Sequence, residues 1–152
     1  MPTLLSPDLV IDALKPYIQP ARMTRINRVV SNRVLGVTIL LEKPHDPHNA
    51  AAVFRSAEAL GIFNIHIVPE DTGFSFSGRV SSAADKWINI HIHQSIDAAC
   101  ESLTRQGFEL HAACLPTDLP KSIAETVSKH MIITPTKPIA LLFGNEHSGL
   151  SR

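Results

Sequence analysis

The 152-residue sequence contains no Gly-x-Gly and no G-x-x-x-x-G-K-[ST]. Both glycine-rich turns by which a strand-to-helix connection ordinarily cradles a nucleotide are therefore absent, and an ordinary nucleotide-binding Rossmann reading is disfavoured. No apolar run approaches the ~18 residues that a membrane span needs. The N-terminus carries Asp8 and Asp12 where an export signal would be basic and then apolar, so no such signal is read there. There are only two cysteines, Cys100 and Cys114. They stand in amphipathic or apolar context without metal spacing, and are expected to be reduced and buried, as in a cytoplasmic protein. No Ser/His/Asp or Cys/His set has nucleophile spacing. No repeat and no low-complexity tract occurs.

The apolar fraction is 44%, enough for a core, and the length suits one domain with at most a small appended piece. Net charge is zero but unevenly spread. Between positions 15 and 33 stand Lys15, Arg22, Arg25, Arg28 and Arg33 with no acidic residue. Such an excess suits a polyanion-facing surface, and it suits a solvated helix face equally well. Eight histidines raise the question of a metal. His45 and His48 share one loop, and His91 and His93 share one face of a strand. Neither pair has a carboxylate or thiol set at ligand spacing, so no metal is expected.

The order of elements follows from punctuation and periodicity. "SPDLVIDALKPYI" opens with Ser6 as N-cap and Pro7 at the first helical position, and Pro16 should end or kink that helix. "PARMTRINRVVSNR" reads as a second, basic helix closed by Gly36. "VTILLE" is a short β-branched apolar run, hence a buried strand. "DPHNAAAVFRSAEALG" is a helix capped by Asp46, with Pro47 at its first position and Gly61 at its end. "FNIHIVP" and "WINIHIH" read as strands, "SIDAACESLTRQG" as a helix, and "FELHAACL" and "PIALLFG" as strands. Residues 70–86 form a long loop rich in Gly and Ser. Strands alternating with helices imply an α/β fold, a parallel sheet with helices on both faces.

In such sheets ligands bind outside the carboxyl ends of the strands. That rule selects residues 43–49, 70–86 and 144–152. In "NAAAVFRSAEALG" three alanines leave one side of the first turns nearly bare, so a ligand or a second backbone can approach. Asn49 lies at the helix mouth, where free N–H groups favour anions. Arg55 follows. It suits an anionic ligand, and it also suits a plain surface pair with Glu58. In "LLFGNEHSGLS", Gly144 and Gly149 permit close backbone approach, and Glu146 sits in a loop just past a buried strand. An ordinary strand-to-helix turn would look the same.

Together the two segments resemble the first two signature motifs of the SpoU/TrmH family of knotted RNA ribose 2′-O-methyltransferases. The first motif is similar to N-x-G-A-x-x-R-(x)-A-x-x-x-G and stands here as Asn49, Ala51, Ala52, Arg55, Ala57 and Gly61, with Ala51 in place of the usual glycine. The second is similar to G-x-E-x-x-G-L/V-S and stands as Gly144, Glu146, Gly149, Leu150 and Ser151. "KPHDPHN" and "ADKWINI" also look like the tRNA guanosine members. The resemblance covers residues 22–152. It implies a SPOUT-type α/β domain over residues 36–152, trefoil-knotted when complete, behind a helical RNA-binding extension over residues 1–35. It further implies S-adenosyl-L-methionine as cofactor, a tRNA or rRNA partner, a homodimer at full length, no metal and no membrane. By position, Arg55, Asn49 and Glu146 would be catalytic. Leu142, Gly144, Asn145, Glu146 and Gly149 would bind cofactor, and Arg22, Arg25, Arg28 and Lys86 would bind RNA.

The chemistry implied needs few groups. A ribose hydroxyl must meet an activated methyl in line, so positioning supplies much of the rate. The developing alkoxide calls for a fixed cation beside it. Guanidinium stays protonated, so Arg55 is expected to stabilise the alkoxide and grip a neighbouring phosphate bidentately rather than act as base.

The family's third motif, similar to S-L-N-V-S-x-A, is not in this sequence, and the expectation is an incomplete domain. Two other readings follow. One is a catalytically silent RNA-binding fragment; the other is an unrelated flavodoxin-like domain holding a small phosphorylated ligand.

Overall fold

A computed structural model describes residues 5–70, 87–114 and 136–151. The chain divides into two compact units, Met1–Arg33 and Val34–Arg152.

The first unit is helical. Helix α1 spans Pro7–Leu14, and the Ser6 hydroxyl accepts the Leu9 N–H at 3.4 Å with Pro7 in the first turn. Pro16 has no N–H to continue the ladder, and the helix tightens into a 3-10 turn over Lys15–Tyr17. Helix α2 spans Pro20–Ser31. Gly36 is not its stop. The helix ends five residues earlier because the Asn32 side-chain amide donates to the Arg28 carbonyl at 2.8 Å, which satisfies one of the orphan carbonyls without a glycine. Arg22, Arg25 and Arg28 are exposed along α2, while Met23, Ile26 and Val29 are half-buried one position on from each.

The second unit is a five-stranded parallel sheet. Strand β1 (Val37–Glu42) leads through helix α3 (Pro47–Ala59) to β2 (Asn64–Val68). Strand β3 (Asn89–Ile92) leads through helix α4 (Ile96–Arg105) to β4 (Glu109–Ala112), and β5 (Ile139–Phe143) is last. The spatial order is β3-β2-β1-β5-β4, with β1 paired on one side to β2 and on the other to β5, both in parallel. Helix α3 starts where the Asp46 carboxylate accepts the His48 N–H at 2.7 Å. Helix α4 starts where the Ser95 hydroxyl accepts the Ala98 N–H at 3.2 Å. Each runs out into a left-handed glycine, Gly61 at φ 79° and Gly107 at φ 86°, the conformation that closes a helix at least cost for a residue without Cβ.

Alternation along the strands sends side chains to two cores. Ile39, Leu41, Ile65 and Ile67 pack with Ala50, Phe54 and Ala57 of α3. Leu40, Val68, Ala140 and Leu142 pack on the other face with Ala99 and Leu103 of α4. Phe54 is fully buried, and truncating it to alanine would cost about 3–5 kcal/mol. Two expectations change here. Ala50 and Ala51 are buried and bring α3 close to the sheet, so Ala52 alone of the three alanines stays open. Cys100 is only half-buried and Cys114 is exposed, because Cys114 falls two residues beyond the short edge strand β4. Both are free thiols. No helix among the described residues is long and apolar enough to cross a membrane.

Candidate active site at the junction of β1 and β5

From β1 the chain runs to β2 on one side; β5 reaches β1 from the other. The ends of these neighbouring strands are where the strand order reverses, which is where open parallel sheets bind ligands. Two loops meet there, residues 43–49 after β1 and residues 144–151 after β5.

The second loop is built on Asn145. Its backbone pairs both ways with Gly149, each N–H to O distance 2.9 Å. Its side-chain oxygen accepts the His147 and Ser148 N–H groups at 2.8 and 3.2 Å, an Asx-type turn. Gly149 takes φ 70°. Gly144 lies so close to the backbone of Gly149 and Leu150 that a Cβ there would collide with it. The loop thus needs glycine at both motif positions for its own closure.

Three residues then tie the loops together. The Asn145 side-chain amide donates to the Lys43 carbonyl at 2.7 Å. The Glu146 carboxylate accepts the His45 N–H at 2.9 Å, the Asp46 N–H at 3.4 Å and the Asn49 side-chain amide at 2.9 Å. In the other direction, Glu42 at the end of β1 accepts the Ser151 N–H at 2.8 Å and its hydroxyl at 2.5 Å. Lys43 itself is held at φ 46°, a left-handed conformation that costs a non-glycine residue about 1 kcal/mol or more. Partial desolvation pushes the Glu146 carboxyl up. The N–H of His45, the amide of Asn49, the residue's own N–H and the N–H of Asp46 outweigh it and bring the carboxyl down to about 2. Glu146 is therefore an anion at neutral pH whose acceptor capacity is spent on the opposite loop.

The structure brings some of the expected site residues together and places others elsewhere. Asn49, Asn145, Glu146, Gly144 and Gly149 come together at the junction. Leu142 is 7% exposed and packs on the α4 face, and its carbonyl accepts the Ala113 N–H at 2.8 Å, so it supports the loop from beneath. Arg55 is exposed on α3, six residues or roughly 9 Å along the axis from Asn49. Helical side chains lean toward the N-terminus, and Ala52, one turn earlier, is exposed. Lys86 and most of the 70–86 loop lie outside the described residues. Glu42 does not stand out as a site residue in the sequence; the available signal is a lone carboxylate closing a buried strand.

The histidines sort differently from their sequence pairing. His66 on β2 is buried, stacks on His91 with centroids 4.6 Å apart, and shares a hydrogen bond of 2.8 Å between its Nδ1 and His93 Nε2. Burial first, then His91 and His93, hold His66 down to about 4. Burial and then His91 lower His93 as well. The cluster lies at the β2–β3 edge.

A parallel sheet of order β3-β2-β1-β5-β4 whose reversal point is closed by two interlocked loops defines an α/β domain with its site at the strand ends. Residues 36–152 match the model of the SpoU rRNA Methylase family, and the chain belongs to that family. It is 33% identical over 131 residues to a tRNA (guanosine(18)-2′-O)-methyltransferase of Thermus thermophilus, an alignment covering 86% of this chain and 63% of that protein. The chain thus spans less than two thirds of that relative's length. The fold resembles the crystal structure of the A. aeolicus TrmH/SpoU tRNA modifying enzyme, with TM-score 0.65 and 19% identity over 86% of this chain and 63% of that one. It also resembles the AdoMet-bound rRNA methyltransferase from Sinorhizobium meliloti, with TM-score 0.60 and 22% identity over 79% of this chain and 43% of that one.

Proposed function

We propose that this chain carries the catalytic face of an S-adenosyl-L-methionine-dependent RNA methyltransferase that modifies a ribose 2′-hydroxyl of a tRNA guanosine. The observation that carries the reading is the contact between Glu146 and Asn49 across the β1–β5 junction, made by the two signature segments of the family. The names of the curated relatives support tRNA guanosine as the substrate, and the AdoMet-bound neighbour supports the cofactor.

The residues present suit that cofactor. Gly149 carries no side chain and nothing lies within 4 Å of where its Cβ would stand, so the loop presents open backbone there. Phe143 at the strand end is partly exposed and adds apolar surface beside it. An adenosine requires both, since its ring has apolar faces and polar edges. Gly144, Asn145 and Gly149 would hold it. When bound, the cofactor supplies an activated methyl group.

The chain's own residues do the rest. Glu146 holds Asn49 and the backbone before α3 in one arrangement, so the ribose meets a preformed surface. Asn49 orients the nucleotide at the helix mouth. Arg55 stabilises the alkoxide and grips an adjacent phosphate with its two-pronged guanidinium. Arg22, Arg25 and Arg28 of α2, together with Lys86, contact the RNA backbone. On this reading residues 1–35 are an RNA-binding extension and residues 36–152 the methyltransferase domain, acting as a homodimer in the cytoplasm.

A calorimetric titration with S-adenosyl-L-methionine tests the reading. Saturable binding is expected. Salt-dependent RNA affinity without cofactor binding would overturn it in favour of an RNA-binding module.

A further inference from the structure

Glu42 is 2% exposed. It closes a strand whose preceding residues Ile39, Leu40 and Leu41 are all core. A carboxylate placed there loses its hydration, and it persists only where donors replace the water. Ser151 provides two of them, its N–H to one carboxylate oxygen and its hydroxyl to the other. Two carboxylates thus cross the junction in opposite directions. Glu146 reaches from the β5 loop to the amides of the β1 loop, and Glu42 reaches from β1 to the far end of the β5 loop.

The two are not equivalent. Glu146 is exposed, and its partners lie at the mouth of α3, on the RNA side of the proposed site. Glu42 is buried, and its partner ends the segment of Gly149, Leu150 and Ser151. Leu150 packs against the α4-face core beside Leu142, so this segment is pinned from both sides. Burying a carboxyl group there costs free energy that an apolar side chain would not. The placement of a carboxylate is explained by geometry: it holds Ser151, and with it the end of the segment from 149 to 151.

We propose that Glu42 is a positioning residue for the methyl donor, acting through Ser151 to set the cofactor-side wall of the site. The inference rests on the methyltransferase reading. It separates the two carboxylates by function. Glu146 orders the substrate side, and Glu42 the cofactor side.

The test is calorimetric titration of S-adenosyl-L-methionine into the wild-type protein, Glu42→Leu, Glu42→Gln, Ser151→Ala and the Glu42→Leu/Ser151→Ala double variant. Melting curves, RNA affinity and amide exchange at residues 149–151 accompany it. Glu42→Leu is expected to weaken cofactor binding roughly 10- to 100-fold, to leave RNA affinity unchanged and to keep or raise the melting temperature, with faster exchange at Ser151. Glu42→Gln, which retains one acceptor, should fall between Glu42→Leu and wild type. The double variant should bind no worse than Glu42→Leu, because Glu42→Leu already removes both bonds to Ser151, of which Ser151→Ala removes one. Ser151 is exposed, so Ser151→Ala leaves folding intact, and its expected weakening decides the matter even if Glu42→Leu misfolds. Wild-type binding with all variants within twofold would overturn the role of Glu42 while leaving the methyltransferase reading in place. Multiplicative losses in the double variant would do the same. No binding by the wild-type protein would overturn the reading itself, and this role with it.

Discussion

The carboxylate of Glu146 accepts the side-chain amide of Asn49 at 2.9 Å across 97 positions of sequence. The same carboxylate takes the His45 and Asp46 N–H groups. One side chain from the loop after β5 thereby sets both the backbone leading into the helix after β1 and the Asn49 side chain in that helix's first turn. Glu146→Ala leaves these donors without their acceptor. Methyl transfer is expected to fall about 100-fold, with Glu146→Gln intermediate because it offers one oxygen in place of two. Single-turnover rates check this, and amide exchange at His45 should quicken in step. A wild-type rate in Glu146→Ala would show that the loops close without it.

Arg55→Lys separates charge from shape. A lysine keeps the positive charge but not the flat two-pronged donor set. The expected rate is lower by about 100-fold, and the pH–rate profile of the wild-type enzyme should show no ionisation attributable to an arginine base. Near wild-type turnover in Arg55→Lys would remove the bidentate role.

The histidine cluster makes stability depend on pH. His66 is held down to about 4 in the folded protein against 6.5 when free. Between those values the unfolded chain binds the proton and the folded one does not, so the contribution of His66 falls as pH drops from 6.5 toward 4 and changes no further below. The loss is on the order of 3 kcal/mol. It is read as the melting temperature at pH 7 and pH 4.5 for wild type and His66→Val, whose melting temperature should fall less over that interval. Glu146 adds a separate window. Its folded carboxyl is depressed from 4.5 to about 2, so its contribution is complete above 4.5 and is lost as pH falls toward 2.

If Arg22, Arg25 and Arg28 meet phosphates, each Arg→Gln change should weaken RNA binding evenly across sequences. Each should also reduce the slope of log affinity against log salt by about 0.7–0.9. Filter binding across a salt series measures both. Unchanged slopes would mean that α2 carries a solvated face only.

Much of this architecture is legible in local signals. The strand "VTILLE" and the helix starts at Ser6, Asp46 and Ser95 stand where their residues indicate, because caps, prolines and β-branched runs act over a few neighbours. What the sequence hides depends on distant pairing. Gly36 looks like a helix stop until Asn32 is seen filling the Arg28 carbonyl. Ala50 and Ala51 look like an open approach until the sheet is placed against them. His91 and His93 look like a pair until β2 brings His66 between them. Glu42 looks like the ordinary polar end of a strand until Ser151 arrives from the far side of β5.

The most direct measurement of the central claim is transfer of a labelled methyl group from S-adenosyl-L-methionine to an unmodified tRNA transcript, beside the same transcript with single guanosines replaced by 2′-deoxyguanosine. The account predicts transfer to the ribose transcript and its loss when one particular guanosine lacks its 2′-hydroxyl. Transfer that survives every such replacement, or none to any transcript, would contradict it.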